Sequence, residues 1–283
     1  MPRVRNDGVG IAYDVDGPPD APVVAFCEGL GYGRWMWRFQ RERLSAYRTI
    51  AFDNRGTGES DAPEDPGAYS IAAFASDLEA VLDAEGVESA HVVGASMGGM
   101  TAQRYARDYD RATSLTLLCT SHGGPESVPI PEETQARMFS VPADADEREA
   151  IRHKMRPAMT ESFWTGNRDL IEDVVDWRLA SDASDAARNM QAEAVLAFDS
   201  TPWLGEVEVP ALVLHGTGDR VLPVENGRQV HEHLPESDLE LYEGGSHLFF
   251  VEEPDAVTDG LRAHVDRIEA ADEAGNGVGD AEA

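Results

Sequence analysis

The sequence predicts a doubly wound α/β fold, in which helices cover both faces of a mostly parallel sheet of about eight strands. Two observations indicate this class. Short, continuous apolar segments are typical of parallel strands, because such strands are buried on both faces. Segments with helical spacing lie between them, and the resulting order of strand and helix is that of consecutive βαβ units.

The strand candidates lie in two blocks of the chain. Residues 9–15 alternate weakly and suit an early antiparallel strand, which is followed by a Gly-Pro-Pro-Asp turn at 17–20. The apolar candidates for the rest of the sheet are residues 23–27, 49–52, 91–95, 115–119, 211–215 and 239–242. Helical spacing between them is found at residues 71–85, 100–108 and 224–234.

The alternation of predicted strands and helices stops between the two blocks. No strand candidate occurs in residues 122–203, and several prolines mark an irregular entry to this stretch. Helical spacing within it is found at residues 147–155, 170–181 and 185–198. We therefore expect this stretch to form a helical cap that is inserted into the sheet domain.

The division into domains follows from these patterns. We expect an α/β core of residues 1–121 and 204–268, with the cap at 122–203. Residues 269–283 are mostly acidic or small, and they offer no apolar surface that a core could bury. They are expected to form a disordered acidic tail.

The charge balance of the chain is unusual. Its 53 Asp and Glu residues outnumber its 23 Lys and Arg residues, the formal net charge is -30 at pH 7, and Lys154 is its single lysine. Such a field repels nucleic acid, so no nucleic-acid partner is expected. Molar salt screens this self-repulsion, because the Debye length there is about 3 Å. The composition indicates a halophilic protein, the alternative being an ordinary acidic one.

The expected cellular location follows from the absence of sequence features that direct a protein to a membrane or out of the cell. Residues 1–8 have no apolar segment typical of a secretory signal, and no apolar stretch approaches the ~18 residues that a membrane span needs. Cys27 and Cys119 each end an apolar segment, so we expect two small buried side chains rather than a disulfide. A cytoplasmic protein with no membrane partner is expected.

The most informative motif is Gly94-x-Ser96-x-Gly98, which lies between a predicted strand and a predicted helix. In this context the motif is typical of a nucleophile elbow, a sharp turn that exposes a serine hydroxyl at the top of a sheet. The glycines leave room for the turn. The backbone N–H of Met97 is then directed at the position where an oxyanion forms.

A serine nucleophile needs a base that an acid orients. Asp219 ends a glycine-rich loop after an apolar strand, at the edge where α/β sheets place their chemistry. His247 lies in a loop after a predicted strand and is the best candidate for the base. Asp199 is the alternative acid. No residues show the spacing of a metal site, and no cofactor is expected.

The second oxyanion donor is expected in the loop after the predicted strand 23–27. This loop, residues 27–33, contains three glycines, which let the backbone approach a substrate closely. We assign the backbone N–H of Leu30 as the partner of the N–H of Met97.

With these residues in place, the chain resembles the α/β-hydrolase family to about residue 265. FDNRGTGES at residues 52–60 is similar to a loop of the family, and EEPD at 252–255 is similar to the pattern after its histidine. GASMGGMTAQ at 94–103 and AFDS at 197–200 resemble the 3-oxoadipate enol-lactonase group and related esterases. The resemblance implies an α/β-hydrolase fold and the hydrolysis of an ester or lactone.

One position departs from the family pattern. Family members usually have His-Gly in the oxyanion loop, whereas this chain has Glu28-Gly29. The donor is a backbone N–H, so catalysis does not depend on the lost histidine, and a glutamate there could accept hydrogen bonds that hold the loop. A carboxylate that pointed inward would instead disfavour the developing oxyanion.

These residues predict a serine hydrolase that cleaves a carboxylic ester or lactone through an acyl-enzyme, with Ser96, His247 and Asp219 as its triad. A cofactor-free perhydrolase of the haloperoxidase type and a carbon–carbon hydrolase use the same triad and stay open as alternatives. A non-catalytic receptor for a small ligand is a further alternative. Because the elbow carries serine and not aspartate, epoxide hydrolysis and dehalogenation are disfavoured.

The partner is expected to be a small ester or lactone, whose identity the sequence leaves open. Four arginines near the predicted site have two interpretations: they attract a carboxylate substrate, or they are surface residues. They are Arg34, Arg38, Arg55 and Arg220.

Overall fold

The computed structural model describes the backbone of residues 1–279 and the side chains of residues 1–274, except that of residue 139. Its eight strands are β1 (Arg3–Asn6), β2 (Val9–Asp16), β3 (Val23–Cys27), β4 (Arg48–Phe52), β5 (Ala90–Ala95), β6 (Ala112–Leu118), β7 (Ala211–Gly216) and β8 (Ser237–Tyr242).

The strands form one sheet in the order β1-β2-β4-β3-β5-β6-β7-β8. The pairs β1–β2 and β2–β4 are antiparallel, and the five other pairs are parallel. The predicted mostly parallel sheet is therefore confirmed. Parallel pairing brings the carboxyl ends of β3, β5, β6 and β7 to one edge, where the loops that follow them lie close together.

Helices cover both faces of this sheet. In the described residues they are α1 (Arg38–Arg43), α2 (Ile71–Ala84), α3 (Met97–Asp108), α4 (Glu132–Phe139), α5 (Glu147–Met155), α6 (Glu161–Gly166), α7 (Arg168–Ser181), α8 (Asp185–Leu196), α9 (Val224–His233), α10 (Phe249–Glu252) and α11 (Pro254–Gly279). None of these helices is both long enough and apolar enough to cross a bilayer.

Alternate residues of the central strands face opposite sides of the sheet, as the pleat of a strand requires. Val92 of β5 belongs to an apolar cluster that also contains Phe74 of α2. Its neighbour Val93 belongs to a second cluster, which contains Leu261 of α11. The strands are buried on both faces, and this explains why they are seen in the sequence as continuous apolar segments.

Five helices, α4 to α8, lie between β6 and β7, in the stretch where the sequence predicts a cap. This segment contacts the core through specific side chains. Gln191 of α8 accepts a hydrogen bond from the N–H of Gly31 at 2.7 Å, and donates one to the backbone oxygen of Arg55 at 3.0 Å. These contacts hold α8 over the loop that follows β3.

The carboxyl-terminal helix extends beyond residue 268, where the predicted core ends. Helix α11 continues to Gly279, within the segment 269–283 that the sequence predicts as a disordered acidic tail, and residues 280–283 lie outside the described residues. Glu269 of this helix lies 2.9 Å from the ring of His91. Alanine and glutamate are good helix formers, so they extend a helix whose earlier turns are packed on the core, without needing apolar surface of their own.

Candidate active site

Ser96 lies in the sharp turn between β5 and α3. Its backbone has φ 55° and ψ −118°, a combination that a residue with a side chain adopts only under strain. A Cβ atom at Gly94 would overlap the carbonyl of Gly98, and one at Gly98 would overlap that of Cys27. Both glycines of the motif are therefore required by the close approach of backbone to backbone.

The strained turn is held by the end of β6. The N–H of Ser96 donates to the oxygen of Leu118 at 2.9 Å, and its carbonyl accepts from the Thr120 hydroxyl at 2.7 Å. Gly99 is the third glycine of the turn, because a Cβ there would overlap the Thr120 side chain. These contacts fix the position of the serine over the sheet.

His247 and Asp219 lie in the loops that follow β8 and β7, and they form a buried pair. The Nδ1 atom of His247 lies 2.7 Å from Oδ2 of Asp219. The other carboxylate oxygen accepts from the N–H groups of Val221 and Leu222, at 2.7 and 2.9 Å. Since Nδ1 must carry a proton to donate to the carboxylate, Nε2 is the nitrogen of His247 that remains able to accept one.

A second imidazole lies against the same carboxylate. His215 Nε2 is 3.4 Å from Oδ2 of Asp219 and 2.9 Å from the oxygen of Leu222. Burial opposes the ionisation of Asp219, but His247 and His215 outweigh it and lower the pKa of Asp219 to about 2. The carboxylate is ionised at neutral pH.

The alternative acid, Asp199, has a different role. Its carboxylate accepts from the N–H of Thr201 at 3.0 Å, and its backbone forms a β-bridge with Gly123. It is Asp219, and not Asp199, that contacts His247.

In the loop after β3, the backbone N–H groups on either side of Leu30 are already hydrogen-bonded. The N–H of Gly29 donates to the sulfur of Met36 at 3.3 Å, and the N–H of Gly31 donates to the side chain of Gln191. Within the described residues, the N–H of Leu30 between them has no acceptor, and neither has that of Met97. Both residues line the cavity onto which Ser96 opens.

Glu28 does not face this cavity. Its side chain is fully buried, and neither carboxylate oxygen has a hydrogen-bond partner in the part of the chain that is described. Burial, with the negative charge of Asp53 nearby, raises the pKa of the Glu28 carboxyl well above its usual range. A neutral acid outside the cavity places no negative charge beside an oxyanion.

The cavity lies between the sheet edge and the cap, and it is partly open to solvent. Most of its wall is apolar, which suits a small organic ligand. Its lining residues are Gly29, Leu30, Tyr32, Met36, Ser96, Met97, Met100, Ile130, Met138, Lys154, Ala158, Arg178, Arg188, Val195, Val221, Leu222, His247 and Leu248.

None of the four arginines singled out in the sequence lines this cavity. Arg34 pairs with Asp14 and Asp53, and Arg55 with Asp77. Arg38 lies over a tryptophan ring, and Arg220 donates to a backbone oxygen.

Three other cations line the cavity instead, and sequence reasoning missed them as site residues. They are Lys154, Arg178 and Arg188, all from the cap helices. The sequence did distinguish Lys154 in one respect, because it is the single lysine of the chain. The two arginines lie in helices whose orientation the sequence does not determine.

The cysteines are buried, free and outside the described cavity wall. Burial raises the pKa of the thiols of both Cys27 and Cys119, which disfavours the reactive thiolate. Among the described residues, no group of three His, Cys, Asp or Glu side chains is arranged to hold a metal ion.

Comparison with known proteins assigns the chain to a family. The chain belongs to the alpha/beta hydrolase fold family, whose sequence profile matches residues 22–254. It is 27% identical over 263 residues to 3-oxoadipate enol-lactonase 1 of Acinetobacter baylyi, covering 89% of this chain and 91% of that protein. It is 28% identical over 264 residues to RutD of Variovorax paradoxus, whose carbamate hydrolase activity is itself a proposal, covering 91% and 97%.

Solved structures show the same fold. The enol-lactonase of Burkholderia xenovorans LB400 superposes with a TM-score of 0.80 at 26% identity, covering 94% of this chain and all of that one. The esterase RhEst1 of a Rhodococcus species gives a TM-score of 0.80 at 27% identity, covering 94% and 98%. These similar proteins act on more than one kind of carbonyl compound, so family membership alone does not specify the substrate.

Proposed function

We propose that the protein is a serine hydrolase that cleaves a carboxylic ester or lactone through an acyl-enzyme. One observation carries this proposal: the strained Ser96 and His247 line one apolar cavity, and His247 is hydrogen-bonded to the buried Asp219. A nucleophile, a base that an acid orients, and a cavity for the reacting group are the parts that acyl transfer needs.

In the proposed reaction, the hydroxyl of Ser96 attacks the substrate carbonyl while Nε2 of His247 takes its proton. Asp219 holds the imidazole by its Nδ1–H and stabilises the imidazolium that forms. The N–H groups of Leu30 and Met97, which have no other acceptor in the described residues, donate to the oxyanion. The imidazolium protonates the leaving alcohol, and water then cleaves the acyl-enzyme with His247 again acting as the base.

The relatives support this reaction class, because the named activities among them include those of an enol-lactonase and an esterase. Both of these reactions break a carbonyl carbon–oxygen bond.

Replacing the nucleophile tests the mechanism. Ser96→Ala should lower kcat for a short-chain p-nitrophenyl ester by about a million-fold, since the base and the acid have no nucleophile to activate without it. The measurement is the release of p-nitrophenol by the purified full chain in 0.1 M and 2 M KCl. Labelling of the wild-type protein by a fluorophosphonate probe measures the reactivity of the serine independently of substrate choice.

Ser127→Ala is the matched control, since that hydroxyl donates to the oxygen of Gly124 and does not line the cavity. It should keep wild-type activity and labelling. A Ser96→Ala protein that retained activity would contradict the mechanism. A folded wild-type protein that neither hydrolysed esters nor labelled would favour a receptor for a small ligand instead.

We propose further that the protein works in a salt-rich cytoplasm. The excess of acidic over basic residues supports this, because salt screens the repulsion that the excess creates. The dependence of stability on salt, given in the Discussion, tests it.

A further inference from the structure

A second pocket lies between the cap and the core, separate from the cavity onto which Ser96 opens. This outer pocket is partly open to solvent, and its lining residues are Glu133, Thr134, Arg137, Arg156, Pro157, Glu161 and Arg220. None of them lines the cavity beside Ser96. All but Arg220 come from the cap, and Arg220 directly follows Asp219 in a loop of the core. The outer pocket therefore borders both the cap and the loop of the proposed catalytic acid.

Three guanidinium groups meet in the outer pocket. Burial lowers the pKa of Arg156, and the positive charges of Arg220 and Arg137 lower it further. The carboxylate of Glu252 acts in the opposite direction, but more weakly than either arginine. Like charges that are close enough to affect each other in this way repel one another, and an anion between them removes the repulsion.

The carboxylates in the wall of the outer pocket do not neutralise these cations. Glu161 forms an ion pair with Arg156. Within the described residues, neither Arg137 nor Arg220 forms an ion pair with a carboxylate, and Glu133 forms none with a cation. The chain has 53 acidic residues for 23 basic ones, so carboxylate partners are abundant. Two arginines without one in the same pocket are therefore unexpected unless a ligand supplies the anion.

The outer pocket also contains hydrogen-bond donors that the protein does not use. Arg137 donates from Nε to the oxygen of His153 at 3.1 Å, and Arg220 donates from Nη2 to the oxygen of Met159 at 3.3 Å. A guanidinium has five N–H donors, so each keeps several that have no acceptor in the described part of the chain. The hydroxyl of Thr134, a buried residue, likewise has no partner there.

The outer pocket and the cavity share a wall. Three segments each contribute one residue to the outer pocket and the next residue to the cavity. They are Arg137 and Met138 of α4, Pro157 and Ala158 of the segment before α6, and Arg220 and Val221 of the loop after β7. A ligand that binds Arg137 and Arg220 together joins the cap to the core one residue away from the cavity.

We propose that Arg137, Arg156 and Arg220 bind a phosphate group in the outer pocket, and that this anion fastens the cap to the loop that carries Asp219. A phosphate group carries about -1.5 to -2 charge at pH 7 and has at least three acceptor oxygens. Its tetrahedral oxygens can reach guanidinium groups from three segments, whereas a carboxylate has two oxygens in one plane. Binding at this site does not require the hydrolase function proposed above.

Calorimetric titration of the wild-type full chain with inorganic phosphate tests the site, at pH 7 in 0.1 M KCl. We expect one phosphate per chain, with a Kd of about 1 mM or lower. Arg137→Gln and Arg220→Gln should each raise this Kd at least ten-fold, because each removes charge-assisted hydrogen bonds to the anion. Both side chains are exposed, so neither substitution disturbs the core.

Arg148→Gln is the matched control in the cap, because this arginine pairs with Glu172 and Asp176 and lines neither the outer pocket nor the cavity. It removes the same charge and should change the Kd less than three-fold. Phosphate binding that survives both Arg137→Gln and Arg220→Gln, or that Arg148→Gln weakens equally, would overturn the site.

A second titration distinguishes the two sources of a phosphate group. Glycerol 3-phosphate that binds more tightly than inorganic phosphate would support a phosphorylated metabolite as the ligand. Equal or weaker binding of the ester would support the free ion.

Hydrogen exchange tests whether the anion joins cap and core. Saturating phosphate should slow amide exchange about three-fold or more in residues 132–138, 156–160 and 219–222, and should not do so in the double variant Arg137→Gln/Arg220→Gln. Protection confined to the cap would overturn the fastening of the cap to the core. Absence of both binding heat and protection in the folded protein would overturn the site itself. Neither measurement uses ester hydrolysis, so a failure of the hydrolase function would leave both results interpretable.

Discussion

Asp219 is surrounded by donors that keep its carboxylate ionised in a buried place. Two backbone N–H groups bind one oxygen, and His247 and His215 face the other. Burial raises the pKa of Asp219, but the two histidines outweigh burial and lower it to about 2. The stability that this shift contributes is present above the unfolded pKa near 4 and is lost as the pH falls through about 2. The carboxylate can therefore orient His247 over the whole range in which an imidazole acts as a base.

The carboxyl group of Glu28 contrasts with that of Asp219, because its surroundings favour the neutral acid and not the anion. It is fully buried like Asp219, but no donor within the described residues binds either of its carboxylate oxygens. The environment of each carboxyl group, and not its residue type, decides whether it is an anion.

Replacing Glu28 with glutamine should remove a loss of stability at high pH. A raised pKa means that folding favours the protonated acid, so wild-type stability falls as the pH rises from the unfolded value near 4.3 towards the folded one. Glu28→Gln carries no such proton, so its advantage over wild type in the free energy of unfolding should grow by up to about 1.4 kcal/mol per pH unit. Urea unfolding at pH 5, 6, 7 and 8 measures this difference.

Glu42→Gln provides the control, since Glu42 is exposed on α1. It makes the same substitution without burial, and it should change the free energy of unfolding by less than about 0.5 kcal/mol. A difference between Glu28→Gln and wild type that does not grow from pH 5 to pH 8 would contradict a neutral Glu28 in the folded protein.

At the scale of elements, the turn between β5 and α3 depends on the close approach of three segments. The start of α3 lies against the end of β3, so that Gly98 leaves no room for a side chain next to the carbonyl of Cys27. The end of β6 holds the same turn from the other side through Leu118 and Thr120. The strained serine is therefore maintained by neighbouring strands and not by local propensity.

Gly98→Ala should destabilise the protein by about 3 kcal/mol or more, because the added methyl group overlaps backbone, which cannot move aside as a side chain could. Denaturant unfolding measures the change. Gly166→Ala is the matched control, since a Cβ there meets nothing within 4 Å, and should alter stability by less than about 1 kcal/mol. Equal effects of the two substitutions would show that the turn adapts to a side chain.

The helices of the cap provide the basic side chains of the cavity wall. The proposed nucleophile, acid and base come from loops after β5, β7 and β8, whereas the cations of the cavity come from α5, α7 and α8. The proposed catalytic residues therefore come from the core, whereas the cap helices supply the basic residues of the cavity wall.

At the scale of the whole molecule, the excess of acidic residues sets the response to salt. With 53 acidic and 23 basic residues, most carboxylates repel one another in dilute buffer, and unfolding relieves that repulsion by moving them apart. Screening should therefore favour the folded state.

The melting temperature should rise steeply as KCl increases from 0.05 to 0.5 M, the range over which screening changes most. Each kcal/mol that screening adds to the free energy of unfolding raises the melting temperature by about 2–4 °C for a chain of this size. Scanning calorimetry at a series of KCl concentrations measures it, with sucrose at matched osmolality as the uncharged control. A melting temperature that KCl leaves unchanged or lowers would contradict the proposal of a salt-adapted protein.

The sequence by itself determined the class of fold. Parallel strands are buried on both faces, so most of their residues are apolar and they can be recognised as continuous apolar segments. It also indicated the nucleophile turn, since the spacing of Gly94, Ser96 and Gly98 follows from a local steric requirement. It did not indicate that α11 continues past residue 268, because composition reports apolar surface but not the packed helix that these residues extend.

Only the tertiary structure decided which side chains meet. In the structure, Asp219 contacts His247 and Asp199 does not. The carboxyl group of Glu28 is buried away from the cavity. The basic residues of the cavity wall are Lys154, Arg178 and Arg188, and not the arginines that the sequence suggested. The physical reason is the same in each case. Contacts between residues far apart in the chain, and the burial that sets their charge, depend on how elements pack and not on local pattern.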